Sequence, residues 1–336
     1  MRPYTPPNLP DSTPPIAPVS SDTSAASAGP SNLRLRVIYG VLGAALLLGS
    51  VWFSPWTFGL FFAAVQAVML WEFYRMMRAG GYAPAAWIGI VVSLILFGGI
   101  LFGTYYLMGE SIFSLAKTDG SLEGDKLAEH ITSTFWQSQT WMTLFAIPGA
   151  LLTITTVFLL IREMFLWPKY SQPFTNVATT LTGLLYVSVP MTALTVLAFK
   201  PGGYDYRRIF GLLFLIWASD IGAYAAGKTF GKHKLAPKIS PGKTWEGWAG
   251  GFVLTLVVGW ALGYLLPDLP LTHRLVAAGV VAVFAPLGDL AESMLKRSVG
   301  VKDSGSIMPG HGGLLDRFDA FLLVLPVLAL LQLLAG

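Results

Sequence analysis

From about residue 36 the chain alternates long apolar runs with short charged or glycine-rich breaks. Nine runs can be marked, at about 36–53, 56–74, 85–108, 141–161, 174–198, 209–228, 247–266, 271–292 and 317–335. About 20 helical residues cross a hydrocarbon core of roughly 30 Å. Lipid cannot satisfy backbone polar groups, so a spanning segment is either a helix or part of a closed barrel. The runs are rich in Leu, Ala and Gly and show no alternation at period two, which selects helices. The pattern predicts an all-α, polytopic integral membrane protein with about nine transmembrane helices.

Composition agrees with this reading, at 54% hydrophobic and 12% charged residues with a mean hydropathy of +0.61. Residues 1–32 differ: eight prolines among Ser, Thr and Ala, with almost no large aliphatic side chains, predict a disordered cytoplasmic tail. The tail lacks the basic start and apolar core of a cleaved signal peptide, so the first span is expected to stay as an anchor. The chain has no cysteine, which excludes disulfides, thiolate catalysis and Cys-ligated metals, and only four histidines, which leaves little for zinc. A metal here is expected to be a hard cation held by carboxylates and phosphates, hence magnesium.

Charge in the breaks sets an orientation. Arg34, Arg36, Arg75, Arg78, Arg162, Lys169, Lys228, Lys232, Lys234, Lys238, Lys243, Lys296, Arg297 and Lys302 all fall on one side of a nine-span arrangement. By the excess of Lys and Arg in cytoplasmic loops, that side is the cytoplasm. The N-terminus is then cytoplasmic, the C-terminus outside, the acid-rich 109–140 loop outside, and the protein a multi-pass component of the cell (inner) membrane. Lys200, Arg207 and Arg208 run against this count. Residues 33–200 read as a scaffold of five spans and 201–336 as a catalytic region of four, with a polar active-site cavity facing the cytoplasm.

One stretch raises a rival. "GAYAAGKT", Gly222 to Thr229, matches the phosphate-loop pattern G-x-x-x-x-G-K-[ST]. A phosphate loop follows a strand and opens a helix, whereas these glycines lie within and at the end of an apolar helical run. A helix C-terminus presents carbonyls and negative dipole to a phosphate. The glycines are better read as a helix-packing face, with Trp217, Asp220, Tyr224 and Gly227 recurring at helical spacing. Asp220, an acid within a span, is either hydrogen-bonded in that packing or faces the active cavity.

The densest polar constellation is "GDLAESMLKRSVGVKDSGSIMPGHGGLLDRFDAF", Gly288 to Phe321. Asp289, Glu292, Ser293 and Lys296 share one helix face at i, i+3, i+4 and i+7. Asp316 and Asp319 stand one turn apart at the start of the last span. Acid-bearing helix ends joined by a basic loop bring carboxylates together, and close like charges call for a cation between them.

Ser293 to Asp319, "SMLKRSVGVKDSGSIMPGHGGLLDRFD", resembles the signature of the phosphatidate cytidylyltransferase (CDP-diacylglycerol synthase) family. Ser219 to Gly247, "SDIGAYAAGKTFGKHKLAPKISPGKTWEG", is similar to that family's cytoplasmic segment between spans. The likeness covers about residues 34–336 and is strong in the last 120; Met308 and Gly242 are small departures. It implies a magnesium-dependent enzyme, with a second cation left open, that makes CDP-diacylglycerol and pyrophosphate from CTP and phosphatidate. By motif position, Asp289 and Asp316 are implied as metal ligands, with Asp303 and Asp220 next. Lys296, Arg297, Lys302 and Arg317 would neutralise triphosphate and lipid phosphate. Ser240, Lys243, Thr244 and Glu246 would close over the nucleotide, Ser293 and Asp319 would contact substrate, and His311 would act as a positioning donor.

The chemistry fits these residues. A phosphate monoester has a second pKa of about 6 and is an anion at pH 7, so it needs cations and orientation more than a general base. The expected partners are CTP, phosphatidate in the leaflet and the bilayer. No nucleic acid is expected, and a homodimer is one allowed state. The rivals are CTP-dependent activation of a prenyl-ether or polyprenyl phosphate, an ion-coupled transporter, for which internal repeats are missing, and a purely structural membrane protein.

Overall fold

The computed structural model describes residues 30–108, 146–169, 172–200, 203–305, 307 and 312–334. The expected tail at 1–29, the 109–140 loop, Met308 and His311 lie outside the described residues.

Among the described residues the chain forms nine helices: α1 Pro30–Phe53, α2 Pro55–Ala79, α3 Ala86–Met108, α4 Ile147–Leu166, α5 Pro173–Ala198, α6 Tyr206–Phe230, α7 Trp245–Ala261, α8 Leu271–Ser298 and α9 Leu315–Leu334. Eight of them, α2 to α9, are long and apolar enough to cross a bilayer, and α1 adds a shorter apolar helix at Ile38–Phe53. The protein is an all-α polytopic membrane protein, with its helices where the apolar runs put them. Helix α4 runs past the expected end at 161 to Leu166, while the first residues of the expected run, 141–145, lie outside the described residues. Two short antiparallel hairpins supplement the helices: β1 Phe199–Lys200 with β2 Gly203–Tyr204, and β3 Lys234–Ala236 with β4 Ser240–Thr244.

Local chemistry starts and bends the helices. Ser54 caps α2 in a reciprocal box: its Oγ accepts from the Thr57 N–H at 3.1 Å, and Thr57 Oγ1 accepts from the Ser54 N–H at 3.1 Å. Helix α5 carries a π-turn at Leu184–Ser188, just ahead of Pro190. A proline inside a helix lacks an N–H and crowds the carbonyl four residues back, and the wider turn absorbs that strain.

In lipid, helices associate through close packing and interhelical hydrogen bonds rather than by the hydrophobic effect. The α6–α7 pair shows the first device. A Cβ on Gly222 would stand 2.7 Å from the Gly250 carbonyl oxygen, and one on Gly251 would stand 2.7 Å from that of Ser219. The glycines of "GAYAAGKT" therefore serve backbone contact with "WEGWAGG", not a phosphate cradle. The scaffold shows the second device. Gln66 Nε2 on α2 donates to the Ser93 carbonyl on α3 at 3.0 Å, Ser188 Oγ on α5 lies 2.8 Å from Ser93 Oγ, and the Tyr74 hydroxyl donates to the Thr180 carbonyl at 2.8 Å. Each such bond is worth about 0.6 kcal/mol on average in a membrane.

At the end of the bundle where α6 begins, Asp205 caps that helix and pairs with Lys200 at 3.0 Å and Arg207 at 2.8 Å. Burial pushes the Asp205 carboxyl up, but donors from Arg207 and Lys200 outweigh it and hold the group well below the usual carboxylate range. The opposite end gathers the C-terminus of α6, the β3–β4 hairpin, the N-terminus of α7, the C-terminus of α8 and the N-terminus of α9.

Candidate functional site

The site is built around a proline within α8. Pro286 lies inside α8 and has no N–H to give the Ala282 carbonyl, four residues back. That carbonyl is taken instead by the Trp248 indole of α7, Nε1 to O at 3.0 Å. The Pro286 carbonyl accepts from Lys243 Nζ at 3.0 Å, and the same ammonium pairs with Asp289 Oδ2 at 2.6 Å. Asp289 Oδ1 also accepts from Ser293 Oγ at 3.3 Å, one turn on.

Helix α9 meets α8 at Gly288, where a Cβ would stand 3.0 Å from the Ala320 Cα. Only a glycine allows that approach, and it brings the first turn of α9 against the acid face of α8. Carboxylate oxygens of Asp289, Glu292 and Asp319 consequently lie within 4.8 Å of one another. Glu292 is fully buried and pairs with Lys296, whose Nζ also donates to Asp316 Oδ1 at 2.8 Å. Asp316 further accepts from the backbone N–H of Gly313 at 2.8 Å and of Ser304 at 3.1 Å. Asp220 on α6 is close enough to Asp289 and Asp319 for their charges to interact.

Of the residues expected from the sequence, the structure brings together Asp220, Lys243, Asp289, Ser293, Lys296, Asp316 and Asp319. Others serve the framework around them. Thr244 caps α7, accepting from the Gly247 N–H at 3.1 Å, and Glu246 staples the hairpin by accepting from the Lys232 N–H at 3.1 Å and meeting His233 Nδ1 at 2.6 Å. Ser240 is half-buried at the start of β4. Arg297, Lys302, Asp303 and Arg317 are exposed around the rim, Arg297 donating to the Val301 carbonyl at 3.4 Å. Asp303 is not part of the three-carboxylate group, and Asp316 stands beside it, linked through Lys296.

Two site-proximal groups had no role assigned from sequence. Glu292 was visible on the acid face of α8. Glu72 of α2 is fully buried, and its Oε2 accepts from the Leu315 N–H at 2.8 Å and from Ser304 Oγ at 3.2 Å. The signal was present: an acid in the apolar run "VMLWEFY" is expensive in a bilayer and marks a functional position by default.

The molecule is thus a polytopic helix bundle that gathers three carboxylates beside two lysines near one end of its helices. The sequence profile of the Cytidylyltransferase family matches residues 83–334, and the chain belongs to that family. It is 34% identical over 300 residues to a phosphatidate cytidylyltransferase of Bacillus subtilis (strain 168), covering 88% of this chain and 96% of the relative. It is 33% identical over 309 residues to a phosphatidate cytidylyltransferase of Haemophilus influenzae, again covering 88% and 96%. A phosphatidate cytidylyltransferase of Staphylococcus haemolyticus is 42% identical over 159 residues, 47% of this chain and 60% of the relative. Family and enzyme class agree with what the Ser293–Asp319 motif implied.

Proposed function

We propose that this protein transfers a cytidylyl group from CTP to phosphatidate, releasing pyrophosphate and leaving CDP-diacylglycerol in the membrane. The observation that carries the reading is the convergence of Asp289, Glu292 and Asp319 between Lys243 and Lys296, inside an apolar bundle. A lipid-phosphate oxygen attacks the α-phosphorus of CTP, the bond from that phosphorus to the bridging oxygen breaks, and pyrophosphate carries off the electron pair. The attacking phosphate is already ionised at pH 7, so no proton has to be removed. The barrier is the meeting of two anions, and fixed cations with in-line orientation lower it.

Lys243 and Lys296 are the ammonium groups best placed for this, each held by a carboxylate that a phosphate oxygen can replace as partner. The carboxylates fit a hard cation: three acids converge, and of the buried oxygens of Glu292, Oε2 is paired with Lys296 while Oε1 takes no hydrogen bond among the described residues. Asp289, Glu292 and Asp319 would hold magnesium, with Asp316 ordering Lys296 and the loop behind them. Magnesium, when bound, supplies positive charge to the phosphates. Arg297, Lys302 and Arg317 at the rim would attract the anionic substrates, and His311 stays a candidate hydrogen-bond donor to a phosphate. The lysine-rich hairpin and the Lys296–Lys302 segment share one end of the bundle, which supports a cytoplasmic active site, where CTP is available.

The test is purified protein given labelled CTP, magnesium and a panel of lipid phosphates. Labelled CDP-diacylglycerol from phosphatidate is expected. Product from a polyprenyl or prenyl-ether phosphate alone would move the activity to a different lipid, and no CDP-lipid from any of them would overturn the reading.

A further inference from the structure

We infer that Glu72, on the second helix, is a positioning residue that sets the placement of the acids on α9, and this rests on the cytidylyl-transfer reading above. A carboxylate within a membrane helix, here two turns before the end of α2, is costly unless partners receive it. Among the described residues, those of Glu72 all reach Oε2 and come from the chain leading into α9, while Oε1 takes no hydrogen bond. Oε2 accepts from the backbone N–H of Leu315, the first residue of that helix, at 2.8 Å, and from Ser304 Oγ at 3.2 Å. The opening N–H groups of a helix have no acceptor within it and carry the positive end of its dipole. Glu72 is thus a cap for α9 supplied by another helix.

The fit is close on every side. A Cβ on Gly313 would stand 2.6 Å from Glu72 Oε2, and one on Gly305 would stand 2.7 Å from its carboxyl carbon. Arg75, one turn further along α2, donates from Nη2 to the Ser304 carbonyl at 3.0 Å. Ser304 is therefore held at its hydroxyl by Glu72 and at its carbonyl by Arg75, while its N–H donates to Asp316 at 3.1 Å. Asp316 holds Lys296, and Lys296 pairs with Glu292 of the three-acid cluster. Asp319, another member of that cluster, is one turn beyond Asp316 on the helix that Glu72 caps. Glu72 touches none of the clustered carboxylates itself. It acts on them through Ser304 and through the position of the α9 N-terminus.

The experiment compares the full-length wild type with Glu72→Gln, Glu72→Leu and Ser304→Ala. It reads kcat, the magnesium concentration for half-maximal activity, Mn2+ binding by electron paramagnetic resonance without substrate, and melting temperature. Supporting groups behind metal ligands typically change affinity or activity by about 10- to 100-fold. Glu72→Leu is expected to weaken Mn2+ binding and raise the magnesium requirement by about that factor. Glu72→Gln, which keeps an acceptor for Leu315, should lose less. Combined with Asp316→Asn, Glu72→Gln should add no further loss in kcat, because both changes act through one network.

Should Glu72→Leu not fold, Glu72→Gln and Ser304→Ala carry the comparison. Wild-type Mn2+ binding and magnesium dependence in these variants, with only the melting temperature lowered, would make Glu72 a packing acid and overturn the inference. So would losses that add to those of Asp316→Asn. A wild type that binds Mn2+ but makes no CDP-lipid would sink the cytidylyl-transfer reading, while the Mn2+ comparison would still decide the role of Glu72.

Discussion

Asp289 occupies the junction of the site. Lys243 reaches it from the β3–β4 hairpin at 2.6 Å, Ser293 reaches it from the next turn of its own helix, and its oxygens lie among those of Glu292 and Asp319. Asn keeps the shape and removes the charge, so Asp289→Asn is expected to lower magnesium-dependent turnover by roughly 100-fold or more while the protein still inserts and purifies. Turnover near the wild-type level would remove Asp289 from the metal-holding set. Helical spacing was enough to place Asp289, Glu292, Ser293 and Lys296 on one face. It could not show that Lys243 closes on that face, because the contact depends on how α7 packs against α8. Nor could it separate the parts played by Asp316 and Asp319. Both belong to the first turn of α9, and only the approach of α9 to α8 turns Asp319 toward the cluster and Asp316 toward Lys296.

At the level of elements, the proline within α8 ties local chemistry to the site. Pro286 frees one carbonyl for Trp248 and leaves its own within reach of Lys243. Trp248→Phe retains an aromatic ring but orphans the Ala282 carbonyl, so a loss of about 1–3 kcal/mol is expected, seen as a lower melting temperature in detergent. If unfolding is unchanged, the indole is not what compensates for the proline. Helix positions were legible because a 20-residue apolar run in lipid has almost no other way to fold. The hairpin was less so. Its two short strands depend on Glu246, which gathers the backbone of Lys232 and His233 from the far side of the turn, and no periodicity announces such a staple.

For the whole molecule, the basic segments after α6 and after α8 lie at the same end of the bundle, opposite the Asp205 network. The protein has no native cysteine, so single cysteines report sidedness directly. Lys232→Cys is expected to react with an impermeant maleimide in inside-out vesicles and not in intact cells, and Thr272→Cys should do the reverse. The opposite pattern would place the site on the outer face and disconnect it from cytoplasmic CTP. The expected division into residues 33–200 as scaffold and 201–336 as catalytic region is crossed by contacts, since Glu72 and Arg75 of the first part hold Ser304 of the second.

The sequence alone determined that the chain is a bundle of membrane helices, that its charge concentrates in two late segments, and that these bear the family's motif. It did so because bilayer thickness, backbone hydrogen bonding and helical spacing are local constraints, written within about 20 residues. Tertiary structure alone decided which acids meet, which lysine faces which acid, and that an acid from the second helix caps the last one. Those are contacts between residues as far apart as Glu72 and Leu315. They follow from how closely glycine-lined helices approach, which no single segment specifies.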